Sequence, residues 1–169
     1  MSEKNCIFTR VSTRSYQDRP VEDENIELML RAAMAAPSAR DQRPWFIYAV
    51  TNKEMIQKLS EATPNAKCIG SAPLVFAACY LRDTFRPVYS QIDMSAAVEN
   101  ILLEATELGI GSVWIGVAPY EDRMENVRNI LGVPEDKIPF ALIGCGYPAK
   151  GAFRAQQDRF DESRIEFVR

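Results

Sequence analysis

The chain has 169 residues, 47% of them hydrophobic and 25% charged, with a formal net charge of −3, a composition that excludes collagen-like and disordered classes and suits one globular domain spanning 1–169. Folded compactly, a chain of 19.1 kDa is expected to expose roughly 8,400 Å² against about 27,700 Å² unfolded. It contains no histidine, so no Ser-His-Asp or Cys-His set, histidine base or histidine metal ligand can exist.

In chain order, Asp23 reads as the N-cap of a helix whose apolar stripe is Ile26, Met29, Leu30, Ala33 and Met34, and which stops before Pro37. Pro37 to Pro44 is a loop. Trp45 to Val50 is an apolar run of strand length, and Thr51 with Glu54 forms a capping box opening a helix over 52–62. Pro73 to Leu81 reads as a buried strand. A long helix from Tyr89 to Leu108 comes next, with Met94, Ala97, Val98, Ile101, Leu102, Ala105 and Leu108 at offsets of three and four and Gly109 as its stop. Ser112 to Val117 is a strand, 120–131 a helix ended by Gly132, and Ile138 to Gly146 a strand. A polar tail closes on the strand-like Ile165–Val168, with little of its own to pack against. The alternation of helix and strand reads as one α/β domain.

No run of four Lys/Arg occurs, which removes the electrostatic footprint of a nucleic-acid or membrane binder. The longest apolar run, Ala72 to Leu81, is too short to cross a bilayer, and no apolar signal region opens the chain. A cytoplasmic protein is expected. Cys6, Cys68, Cys79 and Cys145 lie far apart without a CxxC pair and read as reduced packing residues.

Two glycine pairs, Gly109-x-Gly111 and Gly144-x-Gly146, lack the third glycine and the strand-to-helix turn of a dinucleotide fingerprint. Gly146 to Gly151 has P-loop spacing but is followed by Ala152 and Phe153. More telling is Arg10-Val11-Ser12-Thr13-Arg14, where two guanidinium groups and a hydroxyl recur every second residue. Such a set suits an oxyanion; the alternative is a solvated basic segment offset by Asp18. Arg154 to Asp161 has the same two readings.

Together these segments resemble the FMN-dependent nitroreductase family over nearly the whole chain. The family's R-x-S-x-R/K element is similar to Arg10, Ser12 and Arg14, and its PS-x-x-N-x-QPW loop to Pro37-Ser38-Ala39-Arg40-Asp41-Gln42-Arg43-Pro44-Trp45. The long central helix and G-hydrophobic-G-S-x-x-W-I-G turn resemble Asp93 to Asn100 and Gly109 to Gly116, and the G-Y-P turn resembles Gly146-Tyr147-Pro148. The resemblance implies an α+β fold, a mainly antiparallel sheet sandwiched by helices, in a two-fold homodimer with FMN at the interface and the tail, about 151–169, on the partner subunit. It further implies that Arg10, Ser12 and Arg159 bind the FMN phosphate and that Arg14 approaches the N1 and C2 carbonyl edge of the ring. Gly116 would offer its N–H to N5, Pro37, Ser38 and Ala39 would reach the flavin from the partner, and Lys67 matches a family lysine near the ring. Asp41 and Arg43 replace the family's Asn and Gln, and Gln157 stands where many members have Lys. The implied activity is hydride uptake from NADH or NADPH and reduction of nitroaromatics, quinones or related acceptors by a ping-pong scheme, with no catalytic side chain beyond the flavin and no metal. The alternative is a protein that stores or senses FMN without turnover.

Overall fold

A computed structural model describes residues 5–152 and 158–169. Its centre is a four-stranded sheet in the order β1-β2-β4-β3, with β1 Trp45–Val50, β2 Leu74–Leu81, β3 Gly111–Gly116 and β4 Lys137–Gly146. All three pairings are antiparallel. The fold is therefore α+β, and the α/β reading drawn from simple alternation is corrected. Alternation sets the order of elements along the chain; it leaves strand direction open, because direction depends on where each connection re-enters the sheet.

The helices are α1 Cys6–Thr9, α2 Asp23–Met34, α3 Lys53–Glu61, α4 Ser90–Glu107 and α5 Glu121–Leu131. On one face of the sheet α2 and α4 bury Met29, Ala33, Met94, Val98, Ile101 and Leu102 against Leu74, Phe76 and Ile143. On the other, α3 and α5 bury Ile56, Leu59 and Val127 against Val75, Ala77, Val113, Ile115 and Leu142. Successive strand side chains point to opposite faces, so the near-continuous apolar runs of β2 and β4 fill both layers at once. Asn100 on α4 donates to the Ala32 carbonyl at 2.9 Å, locking the two helices of the first layer together.

Helix ends obey the expected chemistry with two corrections. Gly109 and Gly132 take positive φ, +71° and +64°, just beyond α4 and α5, the left-handed stop that glycine adopts without a Cβ penalty. The cap of α3 is Asn52, whose side chain accepts from Met55 N–H, rather than Thr51; a side chain one residue nearer the helix reaches that N–H and the Thr51–Glu54 box is not used. The cap of α2 is Glu22 rather than Asp23, with no side-chain cap bond. Short elements had no signal in the periodicity: α1 and the 3₁₀ turns Ala39–Asp41, Lys67–Ser71, Pro87–Tyr89 and Glu162–Arg164.

Beyond Asp158 the tail is exposed throughout, and Ile165–Val168 forms no strand. An isolated four-residue run has no ladder to join unless a sheet edge is offered to it. No helix among the described residues is long and apolar enough to cross a membrane.

Candidate functional site

The Arg10–Arg14 segment lies across one end of the sheet, and Gly111, Gly144 and Gly146 explain how. Ser12 bridges Ser112 of β3 in parallel, Thr13 N–H donates to the Ser112 carbonyl at 2.9 Å, and Tyr16 bridges Pro148. Thr13 and Tyr16 are buried while Ser12, Arg14 and Ser15 are exposed. The buried pair needs bare backbone beneath it. A Cβ on Gly111 would lie 2.7 Å from Thr13 side-chain atoms, and one on Gly144 would lie 2.7 Å from Ile69 Cγ2 and 3.2 Å from the Tyr16 hydroxyl. Gly146 is closed in the same way, 2.5 Å from Pro73 Cδ. The Tyr16 hydroxyl lies 2.7 Å from the Thr13 carbonyl and 3.1 Å from that of Gly144, and burial pushes its ionisation far above the usual tyrosine range.

The same segment is secured further along by the Gly146-Tyr147-Pro148 turn. Gln17 N–H donates to the Tyr147 carbonyl at 2.8 Å, and the Arg19 guanidinium stacks 3.9 Å from the Tyr147 ring centroid. The Tyr147 hydroxyl donates to Glu22 at 2.5 Å and Arg19 adds a second bond. These two bonds, the first the larger, hold the Glu22 carboxyl down at about 2.

Arg10 leans on α4, its Nε 3.5 Å from Glu99 and its side chain one-quarter exposed. Arg14 has no ion pair among the described residues. Gly116, at the other end of β3, faces open space where a side chain would be. Because β3 is an edge strand and Val117 N–H donates inward to Phe140, the alternation of an antiparallel ladder turns Gly116 N–H to the free edge. Four residues of ~3.3 Å each put Gly116 about 13 Å along that edge from Ser112, and hence from Ser12 beside it.

Lys67 opens its 3₁₀ turn exposed to solvent, and Ile69 two residues on packs over Gly144, so this lysine belongs to the same end of the sheet as Tyr16. Arg159 is exposed, and no hydrogen bond or ion pair joins it to the Arg10 segment among the described residues. Gln157 lies outside the described residues.

Pro37, Ser38 and Ala39 sit apart from Arg10, on a loop tied to the start of α4. Buried Asp93 accepts from Ala39 N–H at 3.0 Å and from Gln42 Nε2 at 2.6 Å. Gln42 in turn grips the backbone of Arg86, accepting its N–H at 2.7 Å and reaching its carbonyl at 3.2 Å. Inside this frame Arg40, Asp41 and Arg43 hold φ of +51°, +57° and +47°, each a conformation that costs a non-glycine residue about 1–2 kcal/mol. Ser38 Oγ accepts Arg43 N–H at 3.0 Å, and Arg43 pairs with Asp41. Asp41 and Arg43, the two departures from the family's loop, thus pair with each other. Asp93 and Glu99 are six residues apart on α4, about 9 Å along its axis, so one helix carries both the loop and the Arg10 segment.

Sequence reasoning missed Asp93, Gln42, Thr13 and Tyr16 as organisers of the site. For Tyr16 the one signal was the glycines that belong to no phosphate motif, which leave bare backbone for a packed side chain. The two buried thiols are unavailable for chemistry, since burial pushes Cys79 up to about 12 and Cys145 higher still. Among the described residues no group of three potential metal ligands gathers.

The described residues fit a phosphate-bearing flavin. They present cations and a hydroxyl at one end of an open strand edge and a side-chain-free backbone N–H at the other, and buried Ser112 Oγ beside them has no partner. Comparison with known proteins agrees. The sequence profile of the nitroreductase family matches residues 7–78 and 61–147. An assigned NADH dehydrogenase/NAD(P)H nitroreductase of Methanothermobacter thermautotrophicus is 44% identical over 161 residues, covering 95% of this chain and 83% of that protein. The crystal structure of an assigned NADH oxidase from Clostridium acetobutylicum superposes with a TM-score of 0.94 at 38% identity, covering 97% of this chain and 99% of its own. An FMN-dependent nitroreductase from Clostridium difficile superposes at 0.90 with 27% identity, each chain covered to 98%. The chain belongs to the nitroreductase family.

Proposed function

We propose that this protein is an FMN-dependent oxidoreductase that takes hydride from NADH or NADPH and reduces nitroaromatics, quinones or related conjugated acceptors. The observation that carries this reading is the pinned Arg10–Ser12–Arg14 segment at one end of the β3 edge, with Gly116 at the other end of the same edge. When bound, FMN supplies a ring that accepts a hydride and hands two electrons on, with protons drawn from solvent. The chain supplies the rest. Arg10 and Ser12, joined by Arg159, hold the phosphate through charge-assisted bonds. Arg14, held on a rigid edge, faces the N1 and C2 carbonyl side and stabilises negative charge that develops there on reduction. Gly116 directs its N–H at N5, and Lys67 adds positive charge near the ring. The absence of histidine is no obstacle, because no side chain has to carry the proton.

Pro37, Ser38 and Ala39 serve the flavin of a second copy in a two-fold homodimer, on whose partner the tail from about 151 packs. The tail alone presents Phe160, Ile165, Phe167 and Val168, between 46% and 93% exposed. We place the protein in the cytoplasm, where its four unpaired thiols remain reduced.

The test is steady-state oxidation of NADH and NADPH with a quinone acceptor. Turnover with parallel double-reciprocal lines is expected, as one pocket serves donor and acceptor in turn. Bound flavin without turnover would overturn the enzymatic reading in favour of storage or sensing.

A further inference from the structure

We propose that Arg40, Phe85 and Arg86 form a docking site for the adenylate half of the pyridine dinucleotide donor, an inference that rests on the functional reading above. Phe85 is 68% exposed, and two guanidinium groups sit over its ring, that of Arg86 5.3 Å and that of Arg40 5.8 Å from the centroid. Both arginines are exposed, and neither has an ion pair among the described residues. Their neighbours differ: Arg43 is paired with Asp41 and Arg82 with Glu135.

An exposed aromatic side chain with two uncompensated planar cations over its ring suits a ligand that is both flat and anionic. A purine stacks on the ring or on a guanidinium plane, and phosphate oxygens take the arginine forks. The patch holds two cations on a chain of net charge −3, which fits a small phosphorylated aromatic and not a polyanion.

The patch is also fixed in place relative to the expected flavin loop. Ala39 N–H and Gln42 meet on Asp93, and Gln42 clamps the Arg86 backbone through both its N–H and its carbonyl. The strained backbone at Arg40, φ +51°, turns that side chain toward the same ring. A donor with its nicotinamide at the flavin would therefore find a rigid seat for its other end beside the loop, and the extra phosphate of NADPH would gain most from it.

The experiment compares NADPH, NADH and reduced nicotinamide mononucleotide, which lacks the adenylate, as donors for the parent and for the double variant Arg40→Ser/Arg86→Ser. The variant is expected to raise KM for both dinucleotides, NADPH more, by about tenfold, the equivalent of 1.4 kcal/mol of binding free energy. Its KM for the mononucleotide should move far less, so that the parent's preference for dinucleotide over mononucleotide shrinks. In the parent, KM for NADPH should climb with salt more steeply than KM for the mononucleotide. Unchanged dinucleotide KM in a folded variant, or an equal rise for all three donors, would overturn the site, as would a salt response shared by all three. A flavin-loaded parent that oxidises none of the three would instead overturn the functional reading, and the docking site with it.

Discussion

Two stretches of this chain carry exposed polar side chains, and they are held by opposite means. The segment from Arg10 to Tyr16 is held from below by close packing: Thr13 and Tyr16 settle onto backbone left bare by Gly111 and Gly144, while Ser12 and Arg14 alternate outward without backbone strain. The loop from Pro37 to Trp45 is held from the side by a buried carboxylate, and inside it three residues keep positive φ. Steric fit serves where the segment crosses the end of the sheet and lies flat on its backbone. A polar pin serves where the chain must turn tightly, since Asp93 can satisfy a backbone N–H and a side-chain amide at once. The two devices should fail differently.

The largest effect is expected at the pin. Asp93→Ala leaves the Ala39 N–H and the Gln42 amide without their acceptor, at roughly 2–4 kcal/mol of stability for two under-satisfied donors. Urea denaturation would measure it. The variant should also lose turnover while keeping the parent's preference for FMN over riboflavin, because the loop lies away from Arg10 and Ser12, the proposed phosphate ligands. Gly111→Val should show the reverse pattern. A branched side chain there must displace Thr13, an overpacking worth about 1–3 kcal/mol, and the FMN preference read by flavin titration should fall with it. If both variants lost stability and FMN preference in equal proportion, the two regions would be one unit and the contrast would break.

Smaller effects sharpen the same contrast. Tyr16→Phe removes the hydroxyl that ties the segment to Gly144 and Thr13, a loss of about 0.5–1.5 kcal/mol, visible as a drop in thermal midpoint. Arg40→Gly relieves the left-handed backbone and should gain up to about 1 kcal/mol net of glycine's entropy. A loss there would mean that the side chain, not the backbone, holds the turn. The smallest effect concerns pH. The Glu22 carboxyl is lowered from its ordinary 4.5 to about 2 by Tyr147 and Arg19, so its contribution is present above 4.5 and is lost as pH falls toward 2. Glu22→Gln should flatten that part of an acid-stability profile.

Much of the fold was legible because its signals are local. Each of the four strands is an apolar run of strand length, and the ends of α4 and α5 carry glycine where the chain must reverse. Strand direction was not legible, since nothing within Trp45–Val50 states that its neighbour Leu74–Leu81 runs against it. The site divides in the same way. Arg10, Ser12 and Arg14 stand out by their two-residue period. What holds the loop could not be read, because the bonds of Ala39 and Gln42 to Asp93 join residues 54 and 51 positions apart, and a lone carboxylate in a helix looks like any other. The glycine pairs are the instructive case. As a dinucleotide fingerprint they fail; Gly111, Gly144 and Gly146 instead leave a bare floor for Thr13 and Tyr16, while Gly109 ends α4.

Flavin titration of the parent protein and Arg10→Ala tests the central claim most directly. With the phosphate held by Arg10, Ser12 and Arg159, the parent should bind FMN far more tightly than riboflavin. Removing one charge-assisted hydrogen bond, worth about 1.5–3 kcal/mol, should weaken FMN binding by roughly 10- to 150-fold, while riboflavin binds parent and variant alike. Equal affinity of the parent for FMN and riboflavin, or an FMN affinity untouched by Arg10→Ala, would contradict it.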